Sequence, residues 1–183
     1  KGQKISVQGS GMGIPSMLIY ATELIDYFGA QKLLRLGTCG AIQPNIQLGD
    51  IILPMVAYTD TPFFQQDFQV AGYAPNADFN FMSNAHSILQ AQSQHSFHTG
   101  PIVTSSLFYD ESESWRSWAK LGALAVEMET SALYHVARQK GREALAVLSV
   151  SDQLTKKEHS SSRYLYQTYE DMIKLALDLL VAA

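Results

Sequence analysis

The sequence predicts an α/β fold, a mostly parallel sheet covered by helices on both faces. Three observations carry this. Short apolar runs alternate with helical stretches along all 183 residues. The run Ala144-Leu145-Ala146-Val147-Leu148 has no polar alternation, as expected of a strand buried on both faces. Glycine and proline stand where strands hand over to helices. No internal repeat, low-complexity tract or linker divides the chain, so one domain is expected over residues 1–183.

Taken in order, Lys4 to Gln8 reads as a strand, followed by the turn Gly9-Ser10-Gly11-Met12-Gly13. A helix is expected from about Pro15, a favoured first helical residue, to Phe28. Met17, Ala21, Leu24 and Phe28 give it one apolar face, and Gly29 suits its C-terminal cap. Leu33 to Leu36 and Asp50 to Tyr58 read as strands. Thr59 to Asn80 is polar and aromatic without a period, an irregular excursion suited to a lid or an oligomer contact. A helix over Met82 to Gln92 precedes strands at Pro101 to Thr104, Ala123 to Met128 and Ala144 to Val150. Thr130 to Lys140 is helical and stopped by Gly141. A terminal helix, Ser162 to Leu180, aligns Met172, Leu175, Ala176 and Leu179 in one stripe.

Composition narrows the function. Hydrophobic residues make up 46% and charged residues 16%, which argues against disorder. The net charge of −4, without a basic block, excludes an electrostatic grip on nucleic acid or an anionic membrane. The single cysteine, Cys39, cannot form an internal disulfide and fits a reducing, cytoplasmic compartment. His86, His95, His98, His135 and His159 are scattered and read as surface or packing residues, so no metal is expected. No apolar run approaches the ~18 residues of a membrane span.

In a parallel sheet, ligands bind beyond the carboxyl ends of the strands. Four expected strand ends carry chemistry. The glycine turn can bring backbone N–H groups close to a ligand at a helix start, or can simply be a tight turn. It is not a dinucleotide fingerprint, because the third glycine falls on Ile14 or Ser16. Arg35-Leu36-Gly37-Thr38 combines a guanidinium and a hydroxyl around a glycine, a set able to hold phosphate. Glu127 and Glu129, two apart on an extended run, should point the same way. They suit a sugar diol or an acid–base pair, although Glu129 could equally favour the start of the next helix. Asp152 directly follows an apolar strand and can serve as a general acid or as a turn residue. Phe108 and Tyr109 could wall a flat ring.

Together these residues resemble the hexameric, bacterial-type purine nucleoside phosphorylases of the nucleoside phosphorylase family. The resemblance rests on Gly11-Met12-Gly13-Ile14-Pro15-Ser16, Arg35-Leu36-Gly37-Thr38-Cys39-Gly40-Ala41 and Leu107-Phe108-Tyr109. Val126-Glu127-Met128-Glu129, Ser151-Asp152 and Asp171-Met172-Ile173-Lys174 continue it in family order. It implies a three-layer αβα fold of the phosphorylase/hydrolase type, with a twisted, mixed, mostly parallel central sheet. It implies a pentosyltransferase of purine salvage, converting purine (deoxy)ribonucleosides and phosphate into free base and (deoxy)ribose 1-phosphate.

The resemblance also implies roles. Arg35, Gly37 and Thr38 would hold phosphate. Met12, Glu127, Met128 and Glu129 would hold ribose. Cys39, Gly40, Phe108, Tyr109, Val126 and Ser151 would enclose the base. Asp152 would protonate purine N7. Inorganic phosphate is a co-substrate, no cofactor is implied, and the expected assembly is a homohexamer built as a trimer of dimers. Three departures stand out, one being that the Thr59 to Asn80 stretch does not follow the family pattern closely. The chain opens Lys1-Gly2-Gln3 and is expected to lack the family's N-terminal segment, which carries a phosphate loop. The family's activating arginine falls on Leu165, with Arg163 the nearby substitute. Alternatives are a nucleoside hydrolase of the methylthioadenosine nucleosidase type and a non-catalytic nucleoside-binding remnant. A uridine phosphorylase shares the Arg-x-Gly-Thr run, but Ser151-Asp152 favours a purine.

Overall fold

The computed structural model describes residues 4–62, 72–92 and 95–181, with the side chains of 92, 162–168, 171 and 181 outside that description. Among the described residues the strands are β1 (Lys32–Ala41), β2 (Ile51–Thr59), β3 (Phe97–Thr104), β4 (Ala125–Glu127), β5 (Glu143–Gln153) and β6 (Glu158–His159). The helices are α1 (Gly13–Asp26), α2 (Phe79–Gln92), α3 (Trp115–Lys120), α4 (Thr130–Gln139) and α5 (Ser162–Val181). The chain is mixed α/β.

The sheet order is β1-β4-β3-β2-β5-β6, with β1 also paired to β5. The pairing therefore returns on itself, and five strands form a ring with β6 as an arm on β5. The long ladders, β1–β5 and β2–β3, are parallel. The closures are short and antiparallel: Gly40 and Ala41 of β1 meet β4, and Ile51 and Ile52 of β2 meet Ser149 and Leu148 of β5. β1 and β5 are long enough to hold one partner along most of their length and another near an end, which leaves few open edges.

Leu145, Val147, Leu148 and Val150 of β5 are fully buried, as their apolar run requires. α4 packs on β2, β3 and β5 and against α1, while α2 and α5 pack together and rest on β5. The apolar stripe of α5 places Met172, Leu175 and Leu179 in the main core. Tyr134 of α4 ties that core together: its hydroxyl donates to the Pro54 carbonyl at 2.7 Å and accepts the Ala146 N–H at 3.0 Å.

Three expectations need correction. Lys4 to Gln8 is not a strand. The segment joins no ladder among the described residues, and Val7 is exposed. β1 does not end near Arg35 but continues to Ala41. Part of the Thr59 to Asn80 excursion, residues 63–71, lies outside the described residues, and α2 already begins at Phe79. The short helix α3 has no counterpart among the expected elements. It is held by burial of Trp115 and by stacking of Trp118 on Tyr58, with centroids 5.8 Å apart.

Candidate active site

Arg35 sits within β1, opposite Ala146 of β5. Its guanidinium folds back over Gly37, where an added Cβ would lie 2.6 Å from Nη1. Glycine at 37 makes room for the cation rather than for a turn. Nε and Nη2 approach Glu127 Oε2 at 3.4 and 3.3 Å, and Nη2 donates to Glu129 Oε2 at 2.5 Å.

Glu127 ends β4, and Glu129 is the residue just before α4. Their carboxylates converge on one cation, which offsets their repulsion. Glu127 is 1% exposed and serves the protein's own donors. It accepts from Thr104 Oγ1 at 2.6 Å, Glu129 N–H at 2.9 Å and Thr130 N–H at 2.9 Å. The last two donors open α4, where the helix dipole favours an anion. Glu129 reaches in another direction. Its Oε1 accepts the Gly13 N–H at 2.6 Å. The glycine turn thus presents its helix-start N–H to a carboxylate of the same chain. Gly11 and Gly13 have φ of 68° and 82°, conformations that suit glycine, and the exposed Met12 stands between them.

Thr38 is half-buried opposite Ser149, and its hydroxyl makes no hydrogen bond to Arg35. Cys39 is buried in the core, and its Sγ donates to the Ser149 carbonyl at 3.7 Å. Burial pushes its thiol far above the usual range; Glu127 and Asp152 add to that shift and Arg35 opposes it. Cys39 is followed by Gly40, whose partners across the sheet, Val126 and Asp152, adjoin or include the expected sugar and acid residues.

Gly40 lies opposite both Val126 and Asp152 in the sheet, and Leu154 covers the space a side chain at 40 would need. Asp152 Oδ2 accepts from Ser151 Oγ at 2.6 Å, and Oδ1 lies 2.5 Å from His159 Nδ1. Phe108 and Tyr109 meet edge-to-face at 5.0 Å and are 71% and 87% exposed, so this aromatic wall stands in solvent. Asp60 anchors the segment leading to it, accepting from Ser105 Oγ at 2.6 Å and Ser106 N–H at 3.2 Å. Arg163 falls on α5 with its side chain outside the described residues, as does Leu165. Among the described residues no group of three His, Cys, Asp or Glu side chains could hold a metal, and no helix is long and apolar enough to cross a membrane.

Chemically, the arrangement offers a guanidinium fork to an anion and carboxylate oxygens to hydroxyl donors. Comparison with known proteins agrees with that chemistry. The profile of the phosphorylase superfamily matches residues 1–183. The chain belongs to the phosphorylase superfamily. It is 43% identical over 178 residues to a protein from Geobacillus kaustophilus (strain HTA426) named purine nucleoside phosphorylase DeoD-type, covering 97% of this chain and 75% of that relative. Relatives of the same name from Caldanaerobacter subterraneus subsp. tengcongensis and Alkaliphilus metalliredigens (strain QYMF) are each 44% identical over 180 residues, covering 98% of this chain and 77% of theirs.

Two residues in contact with these groups escape the sequence reading. Thr104, fully buried at the end of β3, donates to Glu127 and accepts the Ser131 N–H at 2.9 Å. A hydroxyl residue closing an apolar strand was its only signal. His159 gave no signal of its own, because its link to Asp152 depends on a hairpin formed by a two-residue strand.

Proposed function

We propose that the chain catalyses phosphorolysis of purine ribonucleosides and deoxyribonucleosides to free purine and (deoxy)ribose 1-phosphate. The observation that carries this reading is the almost buried Arg35 guanidinium held between Glu127 and Glu129, beside the glycine turn. It is supported by relatives named purine nucleoside phosphorylases at 41–44% identity.

In this reading Arg35, with Gly37 and Thr38, receives phosphate. Its planar fork suits an oxyanion. Glu129 accepts from a ribose hydroxyl and Met12 covers the sugar. Glu127, whose oxygens already serve internal donors, orients Arg35 and the start of α4. Met128 continues the sugar side. Phe108, Tyr109 and Val126, with Cys39, Gly40 and Ser151, bound the base. Asp152 gives its proton to purine N7 as the C1′–N9 bond breaks. The bonding pair leaves with the base, which departs neutral. A phosphate oxygen closes on the oxocarbenium-like C1′, forming the new C–O bond. A general acid so placed contributes about 10²–10⁴-fold in rate. Phosphate is the co-substrate, with no metal or organic cofactor. The same reading places the reaction in purine salvage in the cytoplasm and takes a homohexamer as the working form.

The test is to incubate the chain with inosine, with and without inorganic phosphate, and to follow hypoxanthine. Release only with phosphate is expected. Release without phosphate identifies a hydrolase instead, and binding without release a nucleoside-binding protein.

A further inference from the structure

β6 is only two residues long, and one of them meets the proposed proton donor. Asp152 and His159 are partners across the antiparallel β5–β6 pairing. His159 Nδ1 lies 2.5 Å from Asp152 Oδ1, while Ser151 Oγ holds Oδ2 at 2.6 Å. The Ser160 N–H closes the hairpin onto the Ser151 carbonyl at 2.8 Å. Both carboxyl oxygens are thus fixed, one by a hydroxyl and one by an imidazole.

The chemistry of the acid step makes this pairing informative. A carboxyl must hold a proton to donate one, and free carboxyls lose theirs well below neutrality. Imidazole is the side chain that carries a proton near neutral pH. The Asp152 side chain is 40% exposed and the His159 side chain 75%, so the imidazole is the more open of the two to bulk water. Glu158 adjoins His159 on β6 with its side chain alternating to the other side, and Lys156 and Lys157 occupy the preceding turn. Asp152 is the acid the imidazole meets across β5.

We propose that His159 is a positioning residue that orients Asp152 and reloads it with the proton passed to purine N7; this rests on the phosphorolysis reading. Protonated His159 transfers its Nδ1 proton to the carboxylate, leaving neutral imidazole and a neutral acid. Asp152 gives that proton to N7 as the glycosidic bond breaks. The phosphate loses its own proton to water on forming the ester, and His159 regains one from water. Charge and protons balance over the cycle, and no further reactant is needed.

The experiment compares wild type and His159→Ala on inosine and on 7-methylinosine, each with phosphate. The methylated nucleoside already carries a charged N7 and needs no proton there. On inosine the variant should lose about tenfold in kcat, below the 10²–10⁴ of a general acid itself. On 7-methylinosine it should match wild type. An unchanged kcat on inosine, or an equal loss on both substrates, overturns the proposal. A wild-type chain that splits neither nucleoside with phosphate sinks the phosphorolysis reading and this proposal together, whereas a normal His159→Ala enzyme sinks only the latter.

Discussion

Arg35 Nη2 donates to Glu129 Oε2 at 2.5 Å, joining residues 94 positions apart. The same carboxylate accepts the Gly13 N–H through its other oxygen. The proposed anion site and the proposed sugar site therefore share one ion pair. Phosphate arriving at Arg35 competes with Glu129 for the guanidinium fork and frees the carboxylate for a sugar hydroxyl. Each substrate should then tighten binding of the other, as linkage requires. Calorimetry of a non-hydrolysable nucleoside analogue should give an affinity about fivefold higher in saturating phosphate, the lower end of typical coupling. Equal affinities would sink the idea that the two sites share this ion pair.

The same contact sets a stability prediction. Arg35, Glu127 and Glu129 have side chains 10%, 1% and 8% exposed. Arg35→Met removes the cation and leaves two carboxylates buried together. Breaking a buried pair from one side costs about 3–5 kcal/mol. Urea unfolding should show the variant weaker by that scale. Arg35→Lys, which keeps a charge but loses the fork, should fall between the two. A Met variant as stable as wild type would mean that water, not Arg35, satisfies the carboxylates.

Gly37 shows why part of the site was hidden in the sequence. Gly37-Thr38-Cys39-Gly40 reads as a turn, yet β1 runs through it. The glycines are there because Arg35 folds back over Gly37 and Leu154 covers Gly40; the first depends on where the guanidinium turns and the second on a residue far away in sequence, so neither gives a periodic signal. β5 was legible because a strand buried on both faces must be apolar throughout. The Glu127–Glu129 convergence was legible because side chains two apart on a strand share a face. Lys4 to Gln8 misled because extended propensity makes a strand only where a partner offers a ladder. α3 and the His159 hairpin depend on tertiary contacts, Trp118 on Tyr58 and imidazole on carboxyl, that no local pattern encodes.

Gly37→Ala should therefore act on phosphate rather than on the base. A Cβ would lie 2.6–2.8 Å from three guanidinium atoms, so Arg35 must swing away. Steady-state kinetics should show KM for phosphate raised about tenfold, equivalent to about 1.4 kcal/mol, with KM for inosine much less affected. Equal rises in both constants, or none, would mean that Arg35 does not meet phosphate from this position.

Cys39 and Tyr134 predict the alkaline limit of stability. Burial raises both groups well above their usual values, and Glu127 adds to the shift in each case. The folded chain keeps protons that the unfolded chain gives up. The stabilisation is fully present below the unfolded values, about pH 8.5 for a thiol and about 10 for a phenol, and is lost as pH rises beyond them. Each group then subtracts about 1.4 kcal/mol per pH unit. Urea unfolding of wild type should weaken with this slope from about pH 8.5 upward, and Cys39→Ala should remove the part that begins there. The thiol should also resist a disulfide reagent in the folded state and react fully in urea, because the thiolate is the reactive form. If the wild-type and Cys39→Ala stability curves run parallel through that window, the thiol ionises in the folded chain as it does in water, and the core around β1 admits solvent.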